Sequence, residues 1–100
     1  MSEVSKILST ICLCRRASKL VMGFDAVVDE IKSQNYGGVV LAADVSPKTE
    51  KEVRFFAEQN GKEVLKADFS MEDAHSAVGK RAGVFLVTDE GLYGSLKKHI

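Results

Sequence analysis

The hydrophobic positions in the first third of the chain predict two helices. Apolar residues recur at the spacing of one helical face between residues 3 and 17, and a second stripe of this kind runs from Phe24 to Ile31. The second helix is expected to occupy 23–33 and to stop at the Asn-Tyr-Gly-Gly sequence of 35–38, since glycine commonly follows a helix. The short break at 19–23 has room for one extended pair of residues.

The rest of the chain alternates buried strands with helices. Continuous apolar runs at 38–44 and 82–88 have the length and composition of strands that are covered on both faces, and a further strand is expected at 63–67. A helical segment follows each of them. This alternation predicts an α/β sandwich with helices on both faces of a largely parallel sheet.

Capping residues mark the starts of the three later helices. Ser46 is a candidate N-cap, with Pro47 at the first helical position. Ser70 and Asp73 have the spacing of a capping box. In this motif, the side chain of each residue accepts a hydrogen bond from the backbone N–H of the other. Thr88 is expected to cap the last helix.

Composition indicates one folded domain over 1–100. Hydrophobic residues make up 45% of the chain, enough for a modest core. The 14 basic and 14 acidic residues cancel, so phosphate-driven binding would have to come from a local basic patch. There is no apolar run near the ~20 residues of a membrane span and no signal-peptide pattern at the start. We therefore expect a cytoplasmic protein without a membrane partner, in which Cys12 and Cys14 are reduced.

The sequence lacks the motifs of common catalytic and nucleotide sites. It contains neither G-x-G-x-x-G nor a phosphate-binding loop after any predicted strand. Cys12 and Cys14 lie two residues apart on a predicted helix, so their side chains diverge by ~200° and do not share a metal ion. His75 and His99 are expected on helix surfaces. No cofactor and no metal are therefore expected, and an enzyme is only a remote alternative.

Three stretches together resemble the ribosomal protein L7Ae family of kink-turn RNA-binding proteins. They are CRRASKLVMGFDAVVDEIKS at 14–33, VVLAADVSPKTEKEV at 39–53 and AVGKRAGVFLVTDEGL at 77–92. They look closest to the small bacterial YlxQ-like branch of that family. The resemblance implies a three-layer α/β/α sandwich with a four-stranded mixed sheet. It therefore implies one further short strand, at Leu20 and Val21, which the apolar pattern does not demand.

The resemblance also implies where RNA binds. In the family, the start of the second helix meets the sheared G·A pairs of the kink and the loop before the last strand covers an extruded base, which is recognition of shape. These elements correspond to 23–29 and 78–83. Gly23, Phe24 and Asp25 would form the platform, two lysines would flank it on phosphates, and Val78 would contact the extruded base. The implied RNA-binding residues are Lys19, Gly23, Phe24, Asp25, Lys32, Val78, Gly79, Lys80 and Arg81.

Two positions depart from the family pattern. Ala26 replaces an amide or acidic residue and offers no hydrogen bond, and Asp29 replaces a lysine and reverses its charge. Asp29 would repel a phosphate backbone. Arg15 and Arg16 are further basic residues that could compensate, although exposed basic side chains are also ordinary in a chain of this composition.

The sequence thus supports a non-catalytic RNA-binding protein of ribosomal type that recognises kink-turn-like structured RNA. Association with the ribosome or a translation factor would suit such a protein. The alternative is a protein–protein interaction module on the same fold, in which Ala26 and Asp29 have weakened RNA binding. The sequence leaves the oligomeric state open.

Overall fold

A computed structural model describes residues 3–33 and 37–100, with side chains from Val4 onward. Asn35 and Tyr36, part of the stop signal expected after the second helix, lie outside these residues. Within them, the elements in chain order are α1 (Glu3–Arg16), β1 (Leu20–Met22), α2 (Phe24–Glu30), β2 (Gly38–Leu41), α3 (Pro47–Gln59), β3 (Glu63–Lys66), α4 (Met71–Val78), β4 (Val84–Val87) and α5 (Glu90–Lys97).

The four strands form one mixed sheet in the order β1-β4-β2-β3. β2 and β3 are parallel, whereas β4 runs antiparallel to both of its neighbours, with Val87 opposite Leu20 on one side and Gly38 on the other. The mixed sheet and the short first strand that the resemblance implies are both confirmed. The prediction of a largely parallel sheet is wrong. After β3, α4 and the loop at 79–83 leave the chain at the end of the sheet where β3 finishes, so β4 starts there and runs in the opposite direction.

Helices cover both faces of the sheet and complete three layers. α2 and α3 pack together on one face, and α1 packs with α4 and α5 on the other. Every residue of β2 and β4 is buried, which explains their continuous apolar sequences. Val40 and Leu86 at their centres are fully buried, as the apolar runs predict. Phe69 and Phe85 pack edge to face with their ring centroids 5.7 Å apart.

The predicted caps of α3 and α4 are present. The Ser46 side chain accepts a hydrogen bond from the Thr49 backbone N–H at 3.1 Å, and Pro47 opens the helix. Ser70 and Asp73 form both hydrogen bonds of the capping box, at 3.0 and 2.9 Å. These bonds use donors that the first turn of a helix leaves unpaired.

The predicted cap of the last helix is displaced by one residue. The N-cap of α5 is Asp89, whose carboxylate accepts a hydrogen bond from the Leu92 N–H at 3.0 Å. Thr88 does not cap the helix, because its backbone still extends the sheet: its N–H donates to the Lys19 carbonyl at 3.0 Å.

The residues with candidate chemistry lie apart from one another. Cys14 is buried in the core, and half-buried Cys12 donates its thiol hydrogen to the Ala77 carbonyl at 3.2 Å; both are free thiols. His75 is exposed and His99 is half-buried. Among the described residues, no three His, Cys, Asp or Glu side chains are placed to hold a metal ion. Within 3–33 and 37–100, every helix is too short or too polar to cross a membrane.

Candidate nucleic-acid interface

Gly23 makes the sharp turn from β1 into α2. Its backbone has φ 99° and ψ 149°, a region that residues with a Cβ rarely adopt. The Gly23 N–H donates to the Val84 carbonyl at 2.9 Å, which fixes the turn beside the start of β4. Since glycine has no side chain, α2 begins without a side-chain cap. Phe24, the first residue of α2, is half-buried, and Asp25 next to it is exposed.

The loop at 79–83 leads from α4 into β4. Gly79 ends α4 in the left-handed conformation, with φ 78° and ψ 7°, and its N–H donates to the His75 carbonyl at 2.9 Å. The Arg15 guanidinium donates to the Val78 carbonyl and so ties the end of α1 to this turn. At the other end of the loop, the Gly83 carbonyl accepts a hydrogen bond from the Ala42 N–H at 2.9 Å. The loop is therefore anchored at both ends.

The start of α2 and the loop at 79–83 lie side by side. A Cβ atom built on Gly23 would lie 3.9 Å from Nζ of Lys80. The two segments share an open pocket of about 350 Å³, whose lining includes Gly23, Phe24, Ser46, Met71, Arg81 and Ala82. The structure thus brings together the two segments that the sequence nominated, although they are more than fifty residues apart in the chain.

Ser46 and Met71 also line this pocket, and neither is among the RNA-binding residues that the resemblance implies. Both follow the carboxyl ends of parallel strands, Ser46 after β2 and Met71 after β3. Parallel strands finish at the same end of a sheet, and ligand sites often form there. The predicted strands and N-caps therefore contained a usable signal.

Val78 occupies a different position from the one expected of it. Its side chain is 3% exposed and belongs to the core. Val78 lies one helical turn after buried Ala74 and continues the inward face of α4. It therefore does not present its side chain to a base, and Ala82 and Met71 line the pocket instead.

Lys19 and Lys32 do not flank the start of α2. Lys19 precedes β1. Its carbonyl accepts a hydrogen bond from the N–H of Thr88, which follows the last residue of β4. Lys32 follows α2, which is seven residues and about 10 Å long and packs back along β1. Both exposed lysines therefore belong to the end of the sheet opposite Gly23.

The electrostatics of the surface are mixed. Asp25, Ala26 and Asp29 are all exposed on α2, and the two carboxylates lie one turn apart. On the loop, the exposed Arg81 guanidinium forms an ion pair with exposed Glu72. Such a pair contributes little to stability, so it leaves Arg81 available to exchange partners. Lys80 is exposed, and its Nζ lies beside Gly23.

Comparison with known families identifies this architecture. The model of the ribosomal protein L7Ae/L30e/S12e/Gadd45 family matches residues 5–95. The chain belongs to this family. The match includes every element of the candidate interface, from β1 to β4. No curated protein sequence matches the chain.

Solved structures agree with the L7Ae-type fold. A protein of unknown function from Bacillus halodurans is 25% identical, with a TM-score of 0.84 over 94% of this chain and 95% of the other. The 15.5kD RNA binding protein of Giardia lamblia has a TM-score of 0.76 over 97% of this chain and 83% of its own. At 13% identity, that second likeness concerns the fold alone.

Proposed function

We propose that this protein is a non-catalytic RNA-binding protein that recognises kink-turn-like structured RNA. The observation that carries the proposal is the proximity of the two nominated segments: Lys80 lies beside Gly23, and Gly23 lines one pocket together with Arg81 and Ala82. Membership of the L7Ae family supports it. The RNA-binding protein of Giardia lamblia, which has the same fold, is consistent with it.

In this proposal, the backbone and Asp25 at the start of α2 read the kinked stem. An exposed carboxylate accepts hydrogen bonds, and the amino group of guanine is a donor of the kind it requires. Lys80, beside Gly23, contacts phosphate in this proposal, and Arg81 exchanges Glu72 for the RNA.

The extruded base of the kink enters the pocket between α2 and the loop. Phe24, Met71 and Ala82 provide an apolar lining, and Ser46 and Arg81 add polar groups to it. Unstacked bases are commonly recognised by this combination of apolar contact and hydrogen bonding. This arrangement gives the pocket the role that the sequence assigned to the side chain of Val78.

Ala26 and Asp29 set the expected strength of binding. Ala26 makes no hydrogen bond to a base, and Asp29 brings negative charge to the exposed face of α2. We therefore expect a lower affinity than the family pattern would give, with selectivity for the kinked shape retained. A cytoplasmic location, membership of the YlxQ-like branch and association with the ribosome or a translation factor belong to the same proposal.

The test is a titration of the protein against a standard kink-turn RNA and against a straight duplex of the same length. We expect the kink-turn to bind more tightly, and its affinity to fall steeply as salt rises because bound cations are released from phosphates. Equal affinity for the two RNAs would contradict the proposal and favour a protein–protein interaction module, the function that exposed Ala26 and Asp29 would suit.

A further inference from the structure

The outward face of α3 carries an exposed strip of two lysines and a phenylalanine. Lys48, Lys51 and Phe55 follow one another at intervals of three and four residues, so they lie along one side of the helix. Val53 and Ala57 are buried on the opposite side. Phe55 is 57% exposed, an unusual degree for an aromatic side chain on a helix that packs against a sheet. We call these three residues the α3 strip.

A groove accompanies the α3 strip. It has a volume of about 460 Å³ and is lined by Lys48, Lys51, Glu52, Phe55 and Phe56. The half-buried Phe56 ring meets Phe55 edge to face, with the ring centroids 5.6 Å apart and the planes at 75°. Phe56 therefore supports the Phe55 ring while leaving most of it in solvent.

The α3 strip begins at the proposed RNA-binding pocket. Ser46 and Thr49, which flank Lys48 in the sequence, both line that pocket. From Lys48 the strip runs along α3 to Phe55, which is seven positions and about 10 Å further along the helix. A strand that leaves the pocket therefore meets a lysine first, a second lysine one turn later and an aromatic ring one turn beyond that.

We propose that the α3 strip binds a single-stranded RNA segment that flanks the kinked element. Lys48 and Lys51 contact its phosphates, and one unpaired base stacks on Phe55. The inference rests on the proposed function and extends it to an RNA feature outside the kink. Cationic side chains that follow a backbone, together with an aromatic platform for a base, are the elements of single-strand recognition.

The size of the α3 strip favours RNA over a protein partner. A stable protein–protein interface buries roughly 800 Å² on each partner and has an apolar centre. Two turns of helix with a single exposed ring supply much less than that. A stacked base and two phosphates fit an area of this size, and the positive charge of the two lysines complements the phosphates, although Glu52 also lines the groove.

The first test uses the full chain with a kink-turn RNA that carries an oligo-adenosine tail at either end, and with the same RNA without a tail. We expect the tail at one end to raise affinity about tenfold, and Phe55→Ala to abolish that gain, since the base then loses the ring on which it stacks. Leu13→Ala is the matched control, because Leu13 is 51% exposed on α1 in the opposite layer.

The second test separates stacking from apolar contact and from charge. A 2-aminopurine in the tail loses fluorescence when it stacks, and we expect this quenching with the unmodified chain but not with Phe55→Leu. Lys51→Ala should make the salt dependence of tailed-RNA binding shallower by about 0.7 in log–log slope. Lys98→Ala, an exposed lysine after α5, should leave the slope unchanged.

The outcomes distinguish the two proposals. A preference for kinked over straight RNA with no gain from either tail, or a gain that survives Phe55→Ala, would overturn the α3 strip and leave the proposed function intact. Equal binding of kinked and straight RNA would overturn the proposed function. In that case, the affinities of the unmodified chain and of Phe55→Ala for tailed and untailed straight duplexes still decide whether the α3 strip binds single strands.

Discussion

Val45 packs against Gly83 so closely that no side chain fits between them. A Cβ atom built on Gly83 would lie 2.5 Å from Cγ1 of Val45 and 3.0 Å from Sδ of Met71. Val45 and Met71 both line the candidate pocket, as does Gly83, the last residue of the loop at 79–83. This close approach fixes the distance between the loop at 79–83 and the turn after β2.

Gly83→Ala is therefore expected to lower stability and RNA affinity together. Overpacking of this kind costs about 1–3 kcal/mol in free energy of unfolding, measured by chemical denaturation. Val45→Ala should relieve the clash, so the double variant should lose less than the sum of the two single variants. Strict additivity would show that the loop accommodates the new methyl group without contact with Val45.

Asp29→Lys is expected to increase affinity for kink-turn RNA about tenfold. The change removes a repulsive charge from α2 and restores the lysine of the family pattern, and a hydrogen bond to a charged group is worth about 1.5–3 kcal/mol. The salt slope should steepen by about one unit. Stability should change by less than about 0.5 kcal/mol, because Asp29 is exposed.

The control for this charge reversal is Glu90→Lys. Glu90 is exposed at the start of α5, on the other face of the sheet from α2. Equal gains from both variants would mean that the RNA responds only to net charge. Absence of a gain from Asp29→Lys would remove α2 from the interface.

Leu86→Ala is expected to cost about 2–5 kcal/mol in free energy of unfolding. Leu86 is fully buried in β4, opposite Val21 of β1 and Val39 of β2, so truncation leaves a cavity at the centre of the sheet. Leu13→Ala, at an exposed leucine, should change the same quantity by less than about 0.5 kcal/mol. A loss below about 1 kcal/mol for Leu86→Ala would contradict the central position of β4.

Cys14 is expected to make stability fall in alkaline solution. Burial, and then the negative charge of Asp89, raise the pKa of the Cys14 thiol from 9.0 to about 11. Between these values the unfolded chain releases the thiol proton while the folded chain keeps it, so rising pH favours unfolding. The contribution is fully present below about pH 9 and is lost as pH rises through about 11.

Denaturation of the unmodified chain and of Cys14→Ala at several pH values checks this dependence. The difference in stability between the two should shrink across that interval, since alanine has no proton to lose. A difference that stays constant would mean that the thiol titrates alike in both states. Alkylation provides a second measurement: Cys14 should react only after unfolding.

Much of the fold could be predicted from local sequence, because the signals were local. Ser46 with Pro47, and Ser70 with Asp73, mark helix starts through hydrogen bonds that span only three residues. The buried strands were recognisable by their continuous apolar runs. The strand directions were not, because an apolar run is the same in both directions and three-residue β1 is too short to show a period.

The candidate site was predictable only in part. Gly23 and the loop at 79–83 were nominated by the family resemblance, and their proximity depends on how β1 and β4 pair. Lys19 and Lys32 are close to Gly23 in sequence, but a strand and a helix carry them to the other end of the sheet. The inward face of α4 likewise decides the burial of Val78.

The order of strands also bears on how the protein behaves when concentrated. The outermost strands, β1 and β3, are the edges at which another molecule could add a strand, and long apolar edges promote aggregation. β1 offers only three residues. β3 carries exposed Glu63 and Lys66 at its ends, held by ion pairs to Lys97 at 3.0 Å and to Glu50 at 2.9 Å. An incoming strand would have to displace these charges, so the sheet resists growth from one molecule into the next.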